Sequence, residues 1–178
     1  VVTNNFQYGI RMKGQSSITL QGDSLVSNHR NDALTLSAGS TAHLLDQARI
    51  TCETTSNLGY TGRAGVSVSG SNGPLMKTSV FMQDESVIEA KGSLGIEVQD
   101  GAKAVVGTSS DTDAFHPTII VDGGTGIYAA NDAEVTLQGF ARLESATAKR
   151  GVGYHAAGGS DAIAGPKLTA KDDVMISG

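Results

Sequence analysis

The sequence predicts an all-β fold: a right-handed parallel β-helix, a solenoid of about six coils with three short strands in each. Three observations predict it. A Gly- or Ala-led stretch of alternating residues recurs six times along the 178 residues. Within each recurrence the apolar residues fall into columns two positions apart, the period of one strand face. The composition also suits strands, with 23 Gly, 3 Pro, no Trp, 4 % aromatic and only 17 % charged residues. That mixture favours short strands and tight turns around a narrow core, and it lacks the charged residues that helices carry.

The repeat starts are "GIRMKG" from Gly9, "ALTLSAG" from Ala33, "GVSVSG" from Gly65, "GIEVQDG" from Gly95, "GIYAAND" from Gly126 and "GYHAAGG" from Gly153. They stand 24, 32, 30, 31 and 27 residues apart, so the loops between units vary in length. Ile10, Leu34, Val66, Ile96 and Ile127 follow the starts in register and are expected to form one inward ladder.

A second strand follows in each unit. Ile18, Ala42, Val80, Val135 and Leu168 share one column, and Leu20, Leu44, Met82, Leu137 and Ala170 share the next. After a turn of Gly, Asp or Lys, a third strand offers Val26, Ile50, Ile88, Leu143 and Ile176. The fourth unit interrupts this order, with "AKAVVG" and "TIIVDGG" separated by the insertion "TSSDTDAFHP". No unit buries its apolar face alone; stacking each strand on its counterpart does so, with an advance of roughly 4.8 Å per coil. A β-sandwich would not require the same columns to recur unit after unit.

Residues 1–178 therefore read as one β-helix segment, and because it begins in mid-pattern at "VVTNNFQYGI" it is expected to belong to a longer chain. The net charge of -5 and the absence of a Lys/Arg cluster with interleaved aromatics argue against nucleic acid as a partner. The single cysteine, Cys52, allows no intrachain disulfide, supplies no metal-ligand set and reads as a buried small residue. No apolar run approaches the roughly 20 residues of a membrane-spanning helix, and the first residues do not form a signal peptide.

One short motif points elsewhere. Gly22-Asp23-Ser24-Leu25 matches the signature of a family of serine esterases, and Asp113-Ala114-Phe115-His116-Pro117 resembles the block carrying its aspartate and histidine. The repeat alignment explains the first match without catalysis. Ser24 shares a column with Ala48, Ser86, Ala141 and Val174, and Gly22-Asp23 occupies the turn that also holds Asp84, Gly139 and Asp172. The family's Gly-x-Asn-Asp block is missing between the serine and Asp113. Three units also separate Ser24 from the insertion, on the order of 14 Å by stacking rise. Ser24 is expected at a corner, bonded to local backbone.

Other constellations read as structural. His29-Arg30 beside Asp32 fits a solvated turn better than an acid–base pair. Asp111, Asp113 and Asp122 match no calcium-loop spacing. Asp172-Asp173 stands without the Gly-His-Gly and Arg-Ile-Lys blocks of β-helical polygalacturonases. Tyr60 and Tyr154 sit near Gly-rich corners, and "GSNG" and "DGGTG" are turns without a following helix to bind phosphate. No catalytic residue, metal site or cofactor is expected.

The units, above all "TGIYAANDAEVTLQGFARLES", resemble the β-helical passenger domains of Gram-negative autotransporters, the pertactin-like group. The resemblance covers nearly the whole chain, and its motifs are structural. It implies a secreted, extracellular segment displayed on the bacterial surface, anchored in the outer membrane through a C-terminal barrel that lies outside this sequence. It carries no catalytic block onto these residues. The expected function is an adhesin or virulence-factor passenger that binds a host-surface protein or glycan, or a sister cell. The competing readings are a β-helical polysaccharide-degrading enzyme and a phage tailspike segment. The best candidate binding surface is the insertion, with Ser109, Ser110, Asp111, Thr112, Asp113, Phe115 and His116, because it is polar and lacks strand periodicity.

Overall fold

The computed structural model describes residues 1–3, 8–28, 31–53, 64–70, 76–146, 152–158 and 164–177, and among these there is no helix. Six coils follow one another. The first holds β1 (Ile10–Lys13), β2 (Ser17–Leu20) and β3 (Leu25–Asn28); the second holds β4 (Leu34–Ser37), β5 (Thr41–Leu44) and β6 (Arg49–Glu53). The third holds β7 (Ala64–Ser69), β8 (Ser79–Met82) and β9 (Val87–Lys91); the fourth holds β10 (Leu94–Gln99), β11 (Lys103–Val106) and β12 (Thr118–Asp122). The fifth holds β13 (Thr125–Ala129), β14 (Glu134–Leu137) and β15 (Arg142–Ser145); the sixth holds β16 (Val152–Ala156), β17 (Lys167–Ala170) and β18 (Met175–Ile176).

Every third strand pairs, giving three parallel six-stranded sheets: β1-β4-β7-β10-β13-β16, β2-β5-β8-β11-β14-β17 and β3-β6-β9-β12-β15-β18. This is the parallel β-helix that the repeat predicts.

Register and burial follow the columns. Ile10, Leu34, Val66, Ile96 and Ile127 are successive partners in the first sheet. The last four of these are fully buried, and Ile10, in the first coil, is half-buried. The irregular fourth unit completes the other columns with Ala104, Val106 and Ile119, all at zero exposure. Cys52 is buried as expected, at 3 % exposure.

The last coil differs. Leu168 and Ile176 keep their columns, paired with Val135 and Leu143, yet are 40 % and 48 % exposed. The fifth coil covers one side of them, and among the described residues nothing pairs with their other side.

Two backbone devices shape the coils. At the start of the first-sheet strand the chain runs so close to its surroundings that a Cβ on Gly65 would lie 2.8 Å from Ile88 Cγ2 of its own coil and 2.9 Å from the Gly95 carbonyl oxygen of the next. Between the second and third sheets the chain turns through the left-handed region at Gly22, Asp46, Asp84, Gly139 and Asp172, with φ of 58°, 54°, 56°, 62° and 65°. Gly adopts that region freely, and Asp tolerates it because its short carboxylate bonds nearby backbone.

Candidate functional site

The insertion leaves the fourth coil at this second corner. Its base is fixed by Asp111, whose carboxylate accepts the Thr108 amide at 2.7 Å and the Thr108 hydroxyl at 2.7 Å. Its tip is a tight loop: Thr112 and Phe115 exchange backbone hydrogen bonds of 3.0 and 3.1 Å around Asp113-Ala114. Arg142 of β15 donates to the Asp113 carboxylate at 2.6 Å, and the Gln138 side-chain amide donates to the Gly107 carbonyl at 2.9 Å. The projection is thus pinned at base and tip to the coil that follows it.

All seven candidate residues lie on this projection. Ser109, Ser110, Thr112, Asp113 and Phe115 are exposed, and Asp111 and His116 are half-buried. Phe115 stands out, with 58 % of its surface in water. The expected loop boundary at Pro117 needs correction. Pro117 is buried, and its carbonyl accepts the Arg142 amide at 3.1 Å, in the place that Ser86 takes toward Thr118 one coil earlier. The ring belongs to the core column because its small apolar body fills the corner site where the other coils carry Ala, Ser or Val.

Phe115 also closes a feature that the sequence alone does not reveal. It lines an open groove of about 530 Å³ together with Gly22, Asp23, Asp46, Gln47, Asp84 and Glu85. The aspartates at the left-handed corner build the floor. The Gly22 amide donates to Asp46 at 3.3 Å, and the Asp46 amide donates to Asp84 at 3.2 Å, so each carboxylate ties down the preceding coil. Gln47 donates to Glu85 at 3.1 Å. Among the described residues four carboxylates and no cation line this groove, and closely spaced like charges in a concave surface concentrate a negative potential. The corner column of Gly and Asp was visible as a turn in the sequence. That Phe115 shares this groove with three earlier coils was not.

The esterase constellation is not assembled. The Ser24 hydroxyl donates to the Gln21 carbonyl at 2.6 Å, three residues back, in the role its column predicts. Asp113 is engaged by Arg142, and among the described residues the buried Nδ1 of His116 has no hydrogen-bond partner. Among the described residues no three His, Cys, Asp or Glu side chains gather where they could hold a metal; Asp111 closes on Thr108 and Asp113 on Arg142. Asp172 is a corner residue whose carboxylate accepts the Gly139 amide at 3.4 Å. Asp32 accepts the Thr35 hydroxyl at 3.2 Å and the Ala64 amide at 3.0 Å; His29, Arg30 and Tyr60 lie outside the described residues. Tyr154 takes the first-sheet column beside Ile127, and burial raises the pKa of its hydroxyl.

The other outer faces are stitched across coils. Arg49 pairs with Glu89, Lys91 with Glu53 at 3.0 Å and Lys77 with Glu134 at 2.7 Å. His43 stacks on Phe81 with centroids 4.9 Å apart and planes 9° from parallel, so each ring covers a face of the other. The chain matches no family model, no curated protein and no solved structure.

Proposed function

We propose that this chain is a binding module on a β-helical scaffold, an adhesin or virulence-factor passenger segment presented outside the cell on the bacterial surface. The observation that carries the reading is the latched projection at residues 108–116, which holds Phe115 in water beside an acidic groove. An aromatic fixed in place before contact loses little conformational entropy on binding, which is how interface anchors work. The carboxylates Asp23, Asp46, Asp84 and Glu85 favour a partner with basic groups, so a basic stretch of a host-surface protein suits this surface better than a neutral glycan. The repeat resemblance to autotransporter passengers supports the cellular setting.

The test is binding of the purified, labelled protein to host cells at two salt concentrations. Phe115→Ala is expected to weaken binding at least tenfold with an unchanged thermal melt. Binding by the parent protein should also fall as salt screens the groove. Binding that withstands both Phe115→Ala and removal of residues 109–115 would place the contact surface elsewhere.

A further inference from the structure

The groove that Phe115 lines is not isolated. A second open hollow of about 470 Å³ adjoins it on the third-sheet side of the corner. Asp23, Gln47 and Glu85 line both hollows, and Leu25, Arg49 and Val87 line the second alone. These last three are register partners in β3, β6 and β9, so they form one short row on the outer face of the third sheet. Leu25 and Val87 are half-buried, and the Arg49 guanidinium is already paired with Glu89 of β9. The surface thus carries an aromatic ring in one hollow, an aliphatic pair in the other and acids between. These acids differ from the others on the outer faces. Glu53, Glu89, Glu134 and Asp113 each meet a Lys or Arg, whereas among the described residues no Lys or Arg pairs with Asp23, Asp46, Asp84 or Glu85. Asp46 and Asp84 each use one oxygen on a corner amide, and Glu85 uses one on Gln47. A carboxylate accepts at both oxygens, so each keeps capacity for a partner's donor.

We propose that the two hollows form one docking site for an extended protein segment of the pattern apolar-x-basic-x-apolar. This rests on the binding function proposed above and adds the partner's local sequence. In an extended segment, residues i, i+2 and i+4 lie on one face at intervals of roughly 7 Å. A central Lys or Arg on that face meets Asp23 and Glu85, which border both hollows. One apolar neighbour lies against Phe115, which is 58 % exposed, and the other against Leu25 and Val87. Solvation divides the roles. The carboxylates are in contact with water, so they steer and select a basic segment more than they hold it. Holding falls to the apolar contacts, whose burial removes hydrocarbon from water. A basic segment without apolar flanks therefore binds weakly and is released by salt.

The experiment titrates three labelled, end-blocked peptides with the whole protein and follows fluorescence anisotropy. Their central sequences are Leu-Ser-Arg-Ser-Leu, Ser-Ser-Arg-Ser-Ser and Leu-Ser-Glu-Ser-Leu, each flanked by Gly-Ser. The first is expected to bind at least tenfold more tightly than either of the others. Phe115→Ala, and Leu25→Ser combined with Val87→Ser, are each expected to weaken it at least fivefold. Equal binding of the first peptide and either control would overturn the proposal, as would failure of the first to bind. If the double variant fails to fold, Phe115→Ala and the peptide series decide. The two readings separate on host cells. Cell binding that falls with Phe115→Ala, beside peptides that show no preference for leucine flanks, would leave the binding function standing and overturn this partner sequence.

Discussion

Ile96→Ala tests the ladder at its tightest point. Ile96 is fully buried on β10, with Val66 of β7 on one side and Ile127 of β13 on the other, both also at zero exposure. The substitution removes three carbons, about 2.4 kcal/mol at 0.8 kcal/mol per buried methylene. A cavity term adds to this, because the strands on either side are held by parallel ladders and cannot close the gap. The expected cost is about 3–4 kcal/mol. Ile10→Ala in the half-buried first coil is the internal comparison, expected at about 1 kcal/mol. Urea unfolding followed by circular dichroism measures both, and a thermal melt should move by roughly 6–16 °C for Ile96→Ala. A solenoid unfolds as coupled neighbours, so the central variant should also broaden the transition as the two halves lose contact. Equal costs for the two positions, or less than about 1 kcal/mol for Ile96→Ala, would refute the inward ladder.

Ser24→Ala should cost about 1 kcal/mol through the lost bond to Gln21, and nitrophenyl ester hydrolysis by the purified protein should not depend on this serine. Arg142→Ala should release the Asp113 tip and speed amide exchange at residues 112–115, while changing the melt by no more than about 1 kcal/mol. The hydrogen bond from Lys77 lowers the Glu134 pKa, so this ion pair stabilises the fold above the ordinary glutamate range and is lost as pH falls through the lowered value. Lys77→Met should therefore flatten the fall in melting temperature between pH 5 and pH 3, a small effect because both groups are largely solvated.

Much of the fold was legible because the coil repeats its demands. A parallel ladder places residue n of one unit beside its counterpart in the next, so an inward site such as the one from Leu34 to Ile127 asks for the same side chain type in every coil. Left-handed corners likewise return Gly or Asp at Gly22, Asp46, Asp84 and Asp172. The same logic removed Ser24 from chemistry, since its column is filled by small residues whatever their reactivity. The insertion was legible only as a departure from the pattern, and its end was misplaced by one residue because Pro117 looks like a loop residue in sequence and acts as a core residue in space.

By itself, then, the sequence determined the architecture, the columns and the location of the projection at residues 108–116, since the repeat sets the first two and the third interrupts it. The tertiary structure alone decided what the projection does with its side chains. Asp111 closes the base on Thr108, Arg142 arrives from the next coil to hold Asp113, and Phe115 lines one groove with Asp23, Asp46, Asp84 and Glu85 of three earlier coils. It also decided that Leu168 and Ile176 are exposed within inward columns. These contacts occur once, between residues far apart in the chain, so no periodicity announces them.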